Sequence, residues 1–245
     1  MNSGVYLYGI FPEVIPTEIT LKGLDSQPVY SHILDGFTFL YSEAKQEKYL
    51  ASRRNLLNHE KVLEEVMHTG YTAVLPLRFG LVVKNWDTVI TQLIQPYKEQ
   101  LKELFTKLTG RREVSVKIFW DPKSELQAMM ESNLDLKQKR DQMEGKALSM
   151  EEVINIGQLI ENNLKSRKES VIQAFFNELR PLADEVIESD TMTEDMIYNA
   201  AFLIPWDKES IFSERIEAID QKFGERLRIR YNNFTAPYTF AQIYS

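Results

Sequence analysis

Cysteine is absent from this sequence of 245 residues, and histidine is scarce, with only three copies. Without cysteine there are no disulfide bonds, no thiolate nucleophiles, and no zinc or iron–sulfur sites built on cysteine. His59-Glu60 begins like the zinc motif H-E-x-x-H, but Leu63 occupies the position of the second histidine. Because soft metal ligands are missing, we expect no metal.

The sequence also lacks long apolar runs and an excess of positive charge. No apolar stretch approaches the roughly 20 residues that a membrane-spanning helix needs. The first residues, MNSGVYLYGIFPEV, lack the basic leader and apolar core of a signal peptide. The 36 Asp and Glu residues outnumber the 29 Lys and Arg residues, so the net charge is −7. We therefore expect a soluble, cytoplasmic protein that binds neither nucleic acid nor a lipid membrane.

Fingerprints of common catalytic sites are missing as well. The nucleophile elbow G-x-S-x-G, the phosphate loop G-x-x-x-x-G-K-[ST] and the dinucleotide motif G-x-G-x-x-G do not occur. Adjacent carboxylates are found at Glu64-Glu65 and Glu151-Glu152. Neighbouring side chains on a helix diverge by about 100°, so these pairs do not share a site. We expect no enzyme activity, no catalytic residue and no small-molecule substrate.

Residues 1–110 are predicted to form an α+β domain. The Asp35-Gly36 pair between two apolar runs predicts a hairpin, because both central positions tolerate a positive φ. Residues 12–27 are expected to be a loop, so that the element order indicates a ferredoxin-like unit whose first helix is reduced. Strands are expected near 5–10, 28–34, 37–42 and 72–83, and helices over 55–69 and 84–109.

Two of these elements contain residues that interrupt regular structure. Pro76 and Gly80 predict a break, a bulge or an edge position within strand 72–83. Pro96 predicts a kink or a division in helix 84–109, because proline lacks the backbone N–H that an interior position needs.

Residues 111–245 are predicted to form a second α+β domain. Its strands are expected at 114–120, 197–206 and 225–231, with a helix over 210–223. A helical insert is expected over 122–190, opened by the capping boxes Ser124-x-x-Gln127 and Ser149-x-x-Glu152. The predicted fold class is therefore α+β with two domains, each a modified ferredoxin-like unit, and a long helical insert in the second.

What the sequence does contain is a strictly alternating segment near its C-terminal end. Charged and apolar residues alternate from Glu225 to Tyr231, which is typical of a β-strand because successive side chains point to opposite faces. One face carries Arg226, Arg228 and Arg230, with neighbours about 7 Å apart. This row would suit the carboxylates or phosphates of a partner. It would equally suit an edge strand whose charges are neutralised by nearby Glu side chains.

A further arginine, Arg78, follows Pro76 at the end of an apolar run. Its guanidinium group could recognise an anion or a partner protein. Alternatively, it closes the strand and pairs with a helix carboxylate such as Glu60 or Glu64, the interpretation that we favour. The candidate partner-binding residues are therefore Arg226, Arg228, Arg230 and Arg78.

Five segments carry a resemblance to a known family. They are YLYGI at 6–10, RRNLLNHEKVLEEVM at 53–67, VLPLRFG at 74–80, VKIFWD at 116–121 and FGERLRIRY at 223–231. In this order they resemble the GvpL/GvpF family of gas vesicle proteins, and together they span essentially the whole chain. The stretch over 122–190 carries no motif of the family.

The resemblance implies a non-enzymatic role in building gas vesicles, the protein-walled flotation organelles of aquatic microbes. Family members are minor vesicle components or assembly factors that contact the hydrophobic shell protein GvpA and other accessory Gvp proteins. The resemblance implies no cofactor and no catalytic residue. It also implies a cytoplasmic organelle as the location. Our hypothesis for the mechanism is that sheet edges and the apolar faces of amphipathic helices recognise the shell subunits.

Two other classes of function stay open at this point. An enzyme with an unrecognised carboxylate and arginine site would need a pocket that gathers Glu60, Arg78 and a histidine with a shifted pKa. A nucleic-acid-binding module with a ferredoxin-like sheet would need exposed aromatic residues beside a continuous basic patch, and the net charge argues against it.

Overall fold

Two β-sheets and several helices organise the residues described by the structure, a computed structural model that covers 4–15, 18–133, 138 and 149–243. The predicted mixture of helix and strand is thereby confirmed. The chain divides into two compact units that are discontinuous in sequence. The first comprises Met1–Val114, Leu203–Asp207 and Asn233–Ser245, and the second comprises Ser115–Phe202 and Lys208–Asn232.

The first sheet has the strand order β2-β3-β4-β1-β5, and β6 also pairs with β1. Its strands are β1 (Gly4–Phe11), β2 (Glu18–Lys22), β3 (Pro28–Leu34), β4 (Phe37–Ala44), β5 (Leu75–Pro76) and β6 (Val82–Val83). The pairs that join these strands are antiparallel. β1 is the central strand of the unit, because it pairs with β4 along its length and with both short strands on its other side.

The predicted hairpin is present between β3 and β4. Leu34 pairs with Phe37, and the two residues between them have positive φ angles of 50° at Asp35 and 87° at Gly36. A two-residue hairpin loop of this kind requires positive φ at both positions, which Asp-Gly supplies at low cost.

Two predictions for this half of the chain are wrong. The expected loop over 12–27 contains the strand β2. Polar and apolar residues alternate over 18–22 as in a strand, but the nearby Pro12, Pro16 and Gly23 favoured the prediction of a loop. The expected single strand over 72–83 is reduced to β5 and β6, with two residues each. Pro76 cannot donate a ladder hydrogen bond, and Gly80 has a φ of 88°, so the chain leaves the sheet between them.

The helices of this half lie close to their predicted bounds. They are α1 (Arg53–His68), α2 (Trp86–Val89), a π-helical turn (Ile90–Ile94) and α3 (Gln95–Leu108). Pro96 lies in the first turn of α3, so the predicted division is confirmed. The buried face of α1 packs on the aromatic residues of β1 in one core cluster, which includes Val62, Leu63, Val66, Met67, Tyr6, Tyr8 and Phe11.

The second sheet has the order β10-β7-β9-β8. The elements of this half are β7 (Arg111–Trp120), α4 (Pro122–Ser132), α5 (Met150–Leu179), β8 (Glu185–Glu188), β9 (Met196–Pro205), α6 (Glu209–Phe223) and β10 (Leu227–Thr235). Within the described ranges, no helix is both long and apolar enough to cross a membrane.

The insert predicted over 122–190 begins with a helix at Pro122 as expected, but its first capping residue and its C-terminal end differ from the prediction. Asp121, not Ser124, caps α4, and its carboxylate accepts hydrogen bonds from the backbone N–H groups of residues 123 and 124. The capping box at Ser149 and Glu152 is confirmed. Pro181 follows the end of α5, and β8 replaces the expected helix at 185–188. Residues 134–137 and 139–148 of the predicted insert lie outside the described residues.

Candidate functional site

The arginine strand begins later than the sequence indicates. Gly224, with a φ of 57°, ends α6 and opens a single 3-10 turn that includes Arg226. Within β10, Leu227 is buried while Arg228 and Arg230 are exposed, as the alternation predicts. Arg226 therefore lies outside the strand, because the glycine turn intervenes between the helix and the sheet.

Arg226 is tied to a buried carboxylate. Its Nε and Nη2 donate to the two carboxylate oxygens of Glu125, each at 2.8 Å. The Glu125 side chain is only 3% exposed and also accepts from Nε of Arg167 at 3.3 Å. Burial raises the pKa of Glu125, but the hydrogen bonds and charges of the two arginines outweigh burial and lower this pKa overall. Bidentate pairing with a buried group makes Arg226 a structural residue.

Arg228 and Arg230 are held more loosely. Nη2 of Arg228 lies 3.2 Å from Asp195 Oδ2, and both side chains of this pair are about half exposed. The guanidinium carbons of Arg228 and Arg230 lie 4.1 and 5.1 Å from the centre of the buried Phe119 ring, so two cations share one aromatic face. Among the described residues, no carboxylate lies within ion-pair distance of Arg230. The guanidinium groups are thus increasingly available to a partner along the series Arg226, Arg228 and Arg230.

A cavity of about 310 Å³ opens beside this part of the second unit. Arg226 and Arg228 line it, but so do Asp121 and Asp195, which carry the opposite charge. The aromatic side chains nearby do not form an exposed stacking platform, since Phe119 is 5% exposed and Trp120 is 9% exposed. This arrangement does not provide the exposed aromatic face that a nucleic-acid-binding sheet needs.

Arg78 belongs to a loop that is fastened at four points. Leu77 N–H donates to Tyr8 O at 2.9 Å, and Leu7 N–H donates to Leu81 O at 3.0 Å. The Tyr6 hydroxyl accepts from the Gly80 N–H at 3.0 Å. Finally, the imidazole of His59 connects the Tyr6 hydroxyl to the carbonyl group of Leu77.

The hydrogen bonds of His59 fix its tautomer. Because a carbonyl oxygen only accepts, Nε2 carries the proton and donates to Leu77 O at 3.0 Å. Nδ1 then accepts from the Tyr6 hydroxyl at 2.8 Å. Burial lowers the pKa of His59 to about 4, more than the Leu77 hydrogen bond raises it. The histidine is therefore neutral near pH 7 and has no free nitrogen.

The loop holds Arg78 at a second cavity, of about 340 Å³, which is lined by Leu56, His59, Glu60, Arg78, Phe79 and Tyr238. The favoured ion pair between Arg78 and Glu60 or Glu64 is not formed, and Arg78 is exposed with no ion pair to any described residue. Glu60 instead accepts a hydrogen bond from the hydroxyl of Thr235 at 3.3 Å. No local pattern marks this partner, since Thr235 is 175 residues away.

The segment that carries Tyr238 is fixed by a buried carboxylate. Glu113 is 5% exposed and accepts from the backbone N–H and the hydroxyl of Thr239, at 2.9 and 2.7 Å. Burial raises the pKa of Glu113 to about 7, although the Thr239 hydrogen bonds oppose this shift. The side of the cavity formed by Tyr238 is thus as well anchored as the Arg78 loop.

This second cavity gathers the residues that the enzyme hypothesis required: Glu60, Arg78 and a histidine with a shifted pKa. Its chemistry is nevertheless limited, because both nitrogens of His59 are engaged in fastening the loop. The imidazole cannot accept a proton from a bound molecule without releasing Tyr6. Among the described residues, no group of three or more His, Asp or Glu is arranged to hold a metal ion.

Comparison with known proteins assigns the chain to a family. A family model described as "Gas vesicle synthesis protein GvpL/GvpF" matches residues 4–242. The chain is 80% identical to gas vesicle protein F of Nostoc sp. strain PCC 7120, over 99% of this chain and 100% of that protein. The crystal structure of GvpF from Anabaena sp. PCC7120 matches with a TM-score of 0.93 and 80% identity, over 99% of this chain and 100% of that chain.

The crystal structure of GvpF from Microcystis aeruginosa also matches, with a TM-score of 0.86 and 65% identity, over 98% of this chain and 100% of that chain. The two structures and the family model agree over nearly the full length of the sequence. The resemblance seen in the five sequence segments is confirmed, and the chain belongs to the GvpL/GvpF family of gas vesicle synthesis proteins.

Proposed function

We propose that the protein is a non-enzymatic component or assembly factor of gas vesicles that binds the shell protein GvpA and other Gvp proteins. Its location is then the gas vesicle, a protein organelle in the cytoplasm. Neither a cofactor nor a small-molecule substrate takes part, and neither nucleic acid nor a lipid membrane is a partner. The observation that carries this proposal is the family match over residues 4–242.

Several exposed groups support a role in protein contact. β8 and β10 are the outer strands of the second sheet, and an outer strand offers backbone groups for strand addition by a partner. At the start of α5, Met150, Val153 and Ile154 are each at least half exposed. Apolar side chains of this kind would cover the apolar surface of a shell subunit. Arg228 and Arg230 on β10, and Arg78 in the first unit, add electrostatic attraction.

We also propose that the fold is a pair of modified ferredoxin-like domains, residues 1–110 and 111–245. The strand order supports this proposal. Without β2, the first sheet reads β3-β4-β1-β5, and the second reads β8-β9-β7-β10, so that both place their four strands in the same relative order. In the second domain the succession of elements is strand, helices, two strands, helix and strand, as in the ferredoxin-like motif.

A binding experiment with purified shell protein tests the proposed partner and the arginine face. The variant to use replaces Arg228 and Arg230 with Ala and leaves Arg226 in place. Removing Arg226 would deprive the buried Glu125 carboxylate of its bidentate partner. We expect the double variant to pull down about fivefold less shell protein than the wild type does. Arg215→Ala is the matched control, because Arg215 is exposed and makes only a 3.3 Å surface pair with Glu178.

Two outcomes would contradict the proposal in different ways. Equal capture by the double variant and the wild type, at unchanged melting temperature, would remove the arginine contribution. No capture by the wild type would remove the shell protein as a partner.

Fractionation of intact vesicles distinguishes a wall component from an assembly factor. Antibody detection on washed vesicles would place the protein in the finished wall. Loss after stringent washing, with the protein recovered in the soluble fraction, would indicate transient action during assembly.

A further inference from the structure

We propose that the cavity beside Arg78 is a docking pocket for a segment of another protein in which an apolar side chain adjoins a carboxylate. This inference rests on the proposed function, because it takes the ligand to be a protein partner. It adds the site on this chain and the chemistry of the partner segment. Three features of the cavity carry it: a cation on a fixed stretch of backbone, an apolar wall, and lining groups of opposite charge.

The cation is Arg78, which is exposed and forms no ion pair with any described residue. The backbone on either side of it is fixed by hydrogen bonds to β1 and to the side chains of Tyr6 and His59. A charge on a fixed support loses little backbone entropy when it binds a carboxylate. The loop is therefore organised in advance to present a single guanidinium group.

The wall of the cavity is mostly apolar. Leu56 is 43% exposed there, beside Phe79 and the ring of Tyr238. The volume of about 340 Å³ lies at the lower end of the range for ligand pockets, roughly 300–1,000 Å³. That space suits one large side chain, and its burial would cover the exposed Leu56.

Charges around the cavity set the polarity of the ligand. Arg53 precedes Leu56 and Glu60 on the same face of α1, at positions i, i+3 and i+7, and it is exposed. A carboxylate of the ligand is attracted toward the arginines, whereas the carboxylate of Glu60, which also lines the cavity, favours an N–H donor. A peptide supplies both groups, an acidic side chain and a backbone N–H. A simple carboxylic acid supplies only the first.

Fluorescence polarisation with labelled peptides tests the proposal. Short overlapping peptides that cover the other gas vesicle proteins of the same organism serve as probes of the full-length chain. We expect the peptides that bind to carry Leu, Ile, Val or Phe next to Asp or Glu. Arg78→Glu should weaken this binding by about tenfold or more, because a charge-assisted hydrogen bond is replaced by repulsion.

A charge exchange separates recognition from stability. A peptide whose acidic residue is replaced by Lys should bind Arg78→Glu more tightly than it binds the wild type. Arg54→Glu is the matched control, since Arg54 is exposed on α1 but turned about 100° from Arg53, and it should bind like the wild type. Arg78→Gln provides a second variant without repulsion if Arg78→Glu has a lower melting temperature.

Each contrary outcome has a specific meaning. The pocket is overturned if no peptide binds, if the peptides that bind lack a carboxylate, or if Arg78→Glu binds as the wild type does. Displacement of the peptide by 4-phenylbutyrate as effectively as by unlabelled peptide would overturn a protein segment as the ligand. If peptides fail but intact shell protein is still captured, only the pocket is wrong. If peptides from another Gvp protein bind while shell protein is not captured, only the shell partner is wrong.

Discussion

The Arg226 turn and the Arg78 loop present the same chemical group on two different supports. Arg226 forms a bidentate pair with Glu125, whose side chain is 3% exposed. Arg78 lines the same cavity as Glu60, but the two form no ion pair. The Glu60 carboxylate accepts a hydrogen bond from Thr235 instead. The two arginines therefore differ in their partners, because Arg226 has a buried carboxylate and Arg78 has no ion pair with any described residue. The availability of a charge therefore depends on its neighbours more than on its own position in a sequence pattern.

The largest expected effect concerns the support of the Arg78 loop. The folded pKa of His59 is about 4, below the ordinary value of 6.5, so the unfolded chain binds the additional proton between these values. The contribution of His59 to stability should consequently fall by about 3 kcal/mol as the pH drops from 6.5 to 4, whereas Glu113, with a folded pKa of about 7, shifts stability in the opposite direction. Glu113 contributes equally to both proteins, so urea unfolding should show the His59 contribution as a change in the stability difference between the wild type and His59→Gln across this range.

His68→Gln provides the control for that experiment. His68 is exposed on the same helix and stacks on Phe234, so its replacement removes a histidine without removing a hydrogen bond of the Arg78 loop. Parallel pH profiles for the wild type and His59→Gln would show that the loop does not depend on a neutral histidine.

Glu125→Gln should have the next largest effect, on the other side of the comparison. The amide leaves Arg226 and Arg167 without their anionic partner, and we expect a loss of about 2 kcal/mol in the free energy of unfolding. The folded pKa of Glu125 lies below its ordinary value of 4.5, so the pair stabilises the wild type above that pH. This stabilisation is lost as the pH falls through the folded pKa.

Chemical denaturation at pH 7 and at pH 3 measures the effect of Glu125→Gln. The difference between variant and wild type should be large at the higher pH and shrink at the lower pH. Glu131→Gln is the control, since Glu131 is exposed near the end of the same helix. A pH-independent difference would mean that the effect of Glu125 is not electrostatic.

Tyr6→Phe should have a smaller effect on stability, with a local consequence for the loop. Without the hydroxyl group, His59 Nδ1 loses its donor and Gly80 N–H loses its acceptor, which costs about 1–2 kcal/mol. Hydrogen exchange at the Gly80 amide should accelerate in this variant. Tyr30→Phe serves as the comparison because Tyr30 is only partly buried on β3. The exchange rate of the Gly80 amide in Tyr30→Phe should equal the rate in the wild type.

The smallest effect is expected for Arg228→Ala. Its pair with Asp195 is about half exposed on both sides, so thermal unfolding should reveal a loss below about 1 kcal/mol. Arg226→Ala, measured beside it, should be more destabilising. Equal losses for the two variants would contradict the distinction between the tied and the loose arginines.

Local patterns predicted most of the elements, and the errors at Ser124 and in strand 72–83 also have local causes. Asp35-Gly36, Pro96 and the Ser149 capping box act within a few residues, and each gave the expected structure. At Ser124 a stronger cap lay three residues upstream, in Asp121, followed by a proline suited to the first turn.

The candidate site was less predictable from the sequence, because its geometry depends on partners far along the chain. Arg226 meets Glu125 across 101 residues, and His59 meets Tyr6 across 53. No periodicity in the sequence marks such pairs. Only the fold brings them together, and it also decides which of the predicted arginines stay free.

The C-terminal residues that complete the Arg78 cavity determine when it can form during synthesis of the chain. Thr235 engages Glu60, Tyr238 lines the cavity, and Glu113 fastens Thr239, whereas the other lining residues lie between Leu56 and Gly80. A nascent chain that has not yet emerged past residue 239 possesses the arginine but not the finished cavity. Partner recognition through this surface would thus begin only after residue 239 has left the ribosome, so that shorter nascent chains cannot compete for the partner.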